Sequence, residues 1–152
     1  MSAIDEEKGL LLGNQLCFAV YSTAHAFTRL YKPFLDAVGL TYPQYLAMMV
    51  LWEKDDLAVK EIGALLHLDS GTLTPLLKRL EAAGMITRRR SAIDERQVRI
   101  GLTDQGRALR DKAKSIPPSV FSACGRPLED LVALKSQLLS LRDGLNEAAD
   151  RG

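Results

Sequence analysis

Two short apolar stretches joined by a tight polar turn, with a strongly basic segment directly behind them, constrain this chain most. The first stretch, Leu57 to Leu68, repeats its apolar side chains at helical spacing and is expected to bury Ile62, Leu65 and Leu66. After Leu68-Asp69-Ser70-Gly71, the second runs from about Thr72 to Ala83, with Leu73, Leu76, Leu77 and Leu80 on one face. Pro75 favours a helix start near Gly71 or Thr72, where a missing N–H belongs to the unpaired first turn. Met85–Arg90 and Gln97–Leu102 then read as two strands around a polar loop. Val98, Ile100 and Leu102 alternate with Gln97, Arg99 and Gly101, so one strand face is buried. Two helices across a tight turn, followed by a basic β-hairpin, form a winged helix-turn-helix.

The flanks have a different pattern. From about Leu11 to Val38, Leu16, Val20, Ala24, Phe27, Leu30, Phe34 and Val38 recur at steps of three and four, predicting one long amphipathic helix with a kink at Pro33 and a stop at Gly39. Pro43 opens an almost wholly apolar core helix through Trp52. Thr103 caps a helix through about Lys114, ended by Pro117-Pro118. In the last helix, from about Pro127, Leu131, Leu134, Leu138, Leu141, Leu145 and Ala148 form a heptad seam of about two and a half repeats. So short a seam suits a dimer intertwined with the N-terminal helix. The expected fold is mostly α with a small β-hairpin wing: a winged helix-turn-helix over residues 43–106, and dimerisation regions over 11–38 and 115–148 of a single 152-residue protomer.

The formal net charge of +1 hides an asymmetry. Residues 1–57 carry four basic and seven acidic side chains, whereas residues 76–99 carry seven basic and three acidic ones. The second segment suits a phosphate-binding face. With the four leucines inward, Thr72, Lys78 and Arg79 turn outward and Ser70 and Thr74 lie at the edges, placing short hydrogen-bonding groups at a helix N-terminus suited to a major groove. In the wing, Arg88 and Arg90 are two candidate DNA contacts from the arginine run. Arg96 suits the adjacent minor groove, and Asp94 is expected to orient an arginine.

No apolar run approaches the roughly 18 residues that span a bilayer, and the N-terminus is acidic, without the basic region of a signal peptide. The expected location is the cytoplasm, where Cys17 and Cys124 rest as thiols. Neither they nor His25 and His67 have metal-ligand spacing, so no metal or other cofactor is expected. Cys17 lies in Leu16-Cys17-Phe18-Ala19-Val20-Tyr21, with Tyr21 one helical turn away and Tyr31 and Tyr42 downstream. Such a sulfur either packs as a small hydrophobe or, near phenolic donors, is stabilised as a reactive thiolate.

The order of segments resembles the MarR-type winged-helix regulators. Asp94-Glu95-Arg96 followed by Leu102-Thr103-Asp104-Gln105-Gly106 is similar to that family's wing signature. Leu40–Tyr45 and Leu68–Glu81 resemble, more narrowly, the organic-hydroperoxide-sensing repressors (the OhrR group). The resemblance implies a homodimer that binds double-stranded, pseudo-palindromic operator DNA when reduced and leaves it when an organic hydroperoxide oxidises Cys17. It implies that Tyr21, Tyr31 and Tyr42 hydrogen-bond the sulfur. It also implies that Cys124 is a resolving cysteine for an intersubunit disulfide, the alternative being a mixed disulfide with a small thiol. Two other functions fit the composition: a repressor responding to a small aromatic ligand without cysteine chemistry, and a two-cysteine thiol peroxidase. The peroxidase would need a CxxC or a thioredoxin-like βαβ pattern, and the chain has neither.

Overall fold

The computed structural model describes residues 6–152; the acidic stretch up to Asp5 lies outside them. The chain divides into two compact units, the first ending at Ser115 and the second running from Ile116 to Gly152.

The first unit begins with a single turn, α1 (Glu6–Gly9), and a 3-10 turn at Leu12–Asn14. The long amphipathic helix, α2, starts at Leu16 rather than Leu11 and runs to Asp36. The Gln15 side chain donates to the carbonyls of Gly9 and Leu11, holding the chain in a turn where the apolar periodicity alone predicted helix. Pro33 lies within α2, which continues through it. At Gly39 the backbone turns left-handed, and Leu40 N–H and Gly39 N–H close on the carbonyls of Leu35 and Asp36. Next, α3 (Tyr42–Glu53) opens on a reciprocal cap: Thr41 Oγ1 accepts from Gln44 N–H, and the Gln44 side chain accepts from Thr41 N–H. Tyr45, Ala47, Met48 and Leu51 of α3 are buried, making it the core helix expected, with Met49 exposed.

Leu57 and Ala58 are not helical. They form a short strand, β1 (Leu57–Ala58), that the alternation did not reveal because two residues carry no period. The first helix of the pair is α4 (Val59–Leu66), and the second is α5 (Ser70–Ala82). In α4 Ile62 is buried as expected, but Leu65 is 61% exposed and Leu66 is only half-buried. The helix is too short, and turns too sharply at the left-handed His67, to bring all three inward. The turn is tight enough that a Cβ on Gly63 would lie 2.8 Å from the Leu68 carbonyl oxygen. In α5, Leu73, Leu76, Leu77 and Leu80 are all buried. Because Asp69 caps Thr72 N–H at 2.7 Å, α5 starts at Ser70 and Pro75 falls in its second turn, not its first. The Gly71 carbonyl therefore goes without its helical donor.

The wing is β2 (Ile86–Arg90) and β3 (Val98–Leu102), antiparallel with Arg88 opposite Ile100; β3 is central in the order β1-β3-β2. Helix α6 (Asp104–Ala113) closes the unit. Its cap, Thr103, takes Gly106 N–H on its hydroxyl oxygen and donates that hydroxyl to the Gly84 carbonyl at 2.6 Å, while Thr103 N–H donates to the Met85 carbonyl. Trp52 Nε1 donates to the Gly106 carbonyl at 2.9 Å. Residues from α3, the turn after α5 and the start of α6 thus meet around one glycine. In the second unit, Pro117 and Pro118 do more than stop α6, since they lie in the first turn of α7 (Ile116–Ala123), where a missing N–H costs nothing. Helix α8 (Leu128–Asp150) follows, and none of its residues is buried.

A Cβ at Gly106 would stand 2.1 Å from the Met85 carbonyl oxygen, a backbone atom that cannot swing aside. Gly106→Ala is expected to cost about 3 kcal/mol and to lower the melting temperature by about 10 °C. An unchanged melt would show that the junction yields.

Candidate nucleic-acid interface and thiol site

The base of the wing is tied by two adjacent aspartates. Asp55 Oδ1 accepts from Leu102 N–H at 2.8 Å, taking the ladder position that β1 is too short to supply, and its other oxygen pairs with Arg107 at 3.2 Å. Asp56, left-handed at φ 57°, brings its carboxylate to Arg89 at 2.9 Å and Arg99 at 3.0 Å. Arg89 and Arg99 stand directly opposite each other in the ladder, where two like charges repel, and Asp56, paired with both, offsets that repulsion. The hydrogen bond from Arg99, with help from Arg89, holds the Asp56 carboxyl below its ordinary value. Composition counted Asp55 and Asp56 only as acidic charge. The signal that could have singled them out was an acidic pair immediately before an apolar step and a basic hairpin.

Of the candidate contacts on α5, Ser70, Thr72, Lys78 and Arg79 are exposed and Thr74 is half-buried. The Asp69 carboxyl is held low by the backbone N–H of Thr72. On β2, Ile86, Arg88 and Arg90 share the face that carries Ile100 on β3. Arg88 lies only 21% exposed, 3.8 Å from Glu81 of α5, with its Nε buried and unpartnered, so it braces the wing against α5. Arg90 donates to the Glu95 carbonyl at 2.9 Å, across the wing loop. The Asp94 carboxylate accepts from the backbone N–H of Arg96 at 3.0 Å, and the exposed Arg96 guanidinium makes no ion pair among the described residues. Lys78 and Arg79 likewise make none. Lys78, Arg79 and Arg96 are thus exposed cations without an ion pair among the described residues.

The tyrosines do not gather around one sulfur. Cys17 is exposed near the start of α2. Tyr21, one turn on, stacks edge-on against His25 with ring centroids 4.4 Å apart. Tyr31 lies fourteen residues after Cys17 on the same continuous helix, a rise of about 21 Å. There it packs 4.9 Å from Tyr42 and 5.9 Å from Tyr45, the fourth tyrosine, which the apolar character of α3 had assigned to the core alone. Burial raises the Tyr42 and Tyr45 hydroxyls above their ordinary value, keeping them protonated donors. Cys124 is half-buried just after α7, where its S–H donates to the Val120 carbonyl at 3.4 Å. Among the described residues, no group of three or more His, Cys, Asp or Glu could hold a metal ion. No helix there is long and apolar enough to cross a membrane.

The family model for the transcriptional regulator SarA/Rot matches residues 29–113. The organic hydroperoxide resistance transcriptional regulator of Bacillus subtilis is 50% identical over 90% of this chain and 92% of its own length. The chain belongs to the MarR-type winged-helix regulators, in the organic-hydroperoxide group. The regulator is also 52% identical to the HTH-type transcriptional regulator TtmR of Methylorubrum extorquens, over 98% of this chain and 76% of that protein. Among solved structures it is similar to reduced AbfR bound to DNA, the AbfR of Staphylococcus epidermidis, with a TM-score of 0.78 and 35% identity over 93% of this chain and 97% of the other. AbfR has also been solved in a disulfide form, with a TM-score of 0.64 and 36% identity over 90% of this chain and 96% of the other.

A carboxylate whose value is depressed by folding adds stability that is complete above its ordinary value near 4 and fades as pH falls through the lowered one. Asp56 is therefore expected to protect the wing at neutral pH and to release it in acid. In Asp56→Asn, amide exchange at Arg99–Leu102 should be faster than wild type at pH 7, with the two converging below about pH 4. Equal exchange at pH 7 would remove Asp56 from this role.

Proposed function

We propose that this protein is a cytoplasmic, redox-responsive repressor that binds operator DNA as a homodimer and is released when an organic hydroperoxide oxidises Cys17. The observation that carries the thiol assignment is the length of α2. One uninterrupted helix separates Cys17 from Tyr31 and Tyr42 by about 21 Å, so within one protomer only Tyr21 stands near the sulfur. In a dimer with α2 helices running antiparallel, Cys17 of each protomer meets Tyr31 and Tyr42 of its partner. The exposed apolar side chains of α2 (Leu16, Phe18, Val20 and Phe27) and the fully unburied α8, whose heptad seam includes Leu134, Leu138 and Leu145, support such pairing. Phe18, Val20 and Phe27 also favour a lipophilic peroxide over hydrogen peroxide.

The chemistry balances on the protein's own thiols. The Cys17 thiolate attacks the peroxide oxygen, the S–O bond forms as the O–O bond breaks, and an alcohol leaves. The sulfenic acid then condenses with a second thiol and releases water. The Cys124 thiol of the partner suits that step once it leaves the Val120 carbonyl; a small cellular thiol is the other acceptor. Each Cys17 consumes one peroxide, so the protein acts as a switch and not as a peroxidase. On DNA, Ser70, Thr72 and Thr74 at the start of α5 approach base edges or phosphates, Lys78, Arg79 and Arg90 bind phosphate, and Arg96 enters the minor groove. Arg88 contributes by holding the wing on α5. Solved structures of AbfR in reduced, DNA-bound and disulfide forms support this cycle.

Mixed dimers test the arrangement. A dimer of one Cys17→Ser chain and one Tyr31→Phe chain keeps one complete site if the tyrosine acts across the interface, and none if it acts within its own chain. Oxidation of the remaining Cys17 by cumene hydroperoxide, followed by mass spectrometry, should match the wild-type rate per site; a rate as slow as the Tyr31→Phe homodimer would overturn the cross-subunit site.

A further inference from the structure

Three of the four tyrosines form a closed triangle of rings. Tyr31 of α2 lies 4.9 Å from Tyr42 and 5.9 Å from Tyr45 of α3, and Tyr42 and Tyr45 lie 6.4 Å apart, each pair tilted. All three separations fall within the roughly 4.5–7 Å over which aromatic rings attract one another. Tyr42 and Tyr45 share a face because they stand three positions apart on one helix. The reciprocal cap between Thr41 and Gln44 fixes the turn that carries them.

The three rings are not equivalent. Tyr31 and Tyr42 are half-buried, whereas Tyr45 is 2% exposed, on the helix whose Ala47, Met48 and Leu51 are also buried. A ring held in a close-packed interior has little room to turn, so Tyr45 is the fixed member against which the other two rest. An aliphatic side chain would fill the core here, as Met48 and Leu51 do, but it would offer those rings no flat face. In the proposed thiol site both outer hydroxyls must point at one sulfur, and a hydrogen bond weakens steeply when misdirected. We propose that Tyr45 is a positioning residue of that site: its core-held ring sets the planes of Tyr31 and Tyr42 so that both phenols aim at Cys17 of the partner subunit. Tyr45 acts through the two rings and not on the sulfur. This rests on the cross-subunit thiol site proposed above.

The rate at which cumene hydroperoxide oxidises Cys17 in the full-length protein, followed by mass spectrometry, tests this in two backgrounds. A Tyr31→Phe, Tyr42→Phe double variant as fast as wild type would overturn the phenol site itself, and this inference with it. With the double variant slowed, Tyr45→Leu in the otherwise wild-type chain is expected to slow oxidation about tenfold. Tyr45→Phe, which keeps the ring, is expected to hold the wild-type rate. In the double-variant background no phenol remains to be aimed, so adding Tyr45→Leu should slow oxidation no further. A general loosening of the core would act in both backgrounds, so an equal effect of Tyr45→Leu in the two would overturn the positioning role. A wild-type rate in Tyr45→Leu alone would do the same. Should Tyr45→Phe be as slow as Tyr45→Leu, the effect belongs to the hydroxyl and the ring assignment fails. Tyr45→Met, longer and unbranched, carries the same comparisons if the leucine variant does not fold.

Discussion

The Asp55–Asp56 corner is the constraint on which the DNA-binding unit depends. It follows α3 and precedes the two-residue β1, and it substitutes side-chain oxygens for backbone partners the short strand cannot provide. One aspartate completes the β3 ladder and reaches α6 through Arg107; the other pairs with two arginines that face each other across the hairpin. A basic wing faces a conflict, because the charge that attracts phosphate also repels itself. Placing one carboxylate at the base offsets that repulsion, while Arg96 in the wing loop makes no ion pair among the described residues.

A similar division holds along α5. Its four buried leucines anchor one face, and Arg88 reaches back from the wing to the exposed Glu81, so helix and hairpin are coupled by an ion pair with its arginine half-buried. Cations on the opposite side, Lys78 and Arg79, make no ion pair among the described residues. Which arginines and lysines are structural and which are free is decided by where the carboxylates stand, not by how many charges the segment holds.

Helix α2 imposes the second constraint, by length. A continuous helix is a rigid ruler, and it fixes Cys17 and Tyr31 at opposite ends of one rod. Any chemistry that needs both in contact must bring a second copy of the rod alongside in reverse. The exposed apolar faces of α2 and α8 agree with that demand, since apolar area of this extent in a single chain calls for a covering partner.

Sequence by itself determined the elements with a strong period or cap: the buried leucines of α5, the Thr103 cap, the β2–β3 hairpin, the stop at Gly39 and the core character of α3. Each depends on local spacing or on one residue's backbone chemistry, which a linear pattern carries in full. It also exposed the thiol, the tyrosines and the basic segment as the groups with chemistry to do. Tertiary structure alone decided how those groups are shared out. Strand β1 is too short to have a period, Leu65 lies outside because α4 ends early, and the prolines at 117 and 118 open a helix instead of only ending one. The Asp55–Asp56 corner joins residues more than forty positions apart, and the packing of Tyr31 against Tyr42 and Tyr45 joins α2 to α3. Contacts and distances of that range are set by how rigid elements stack, and no local pattern encodes them.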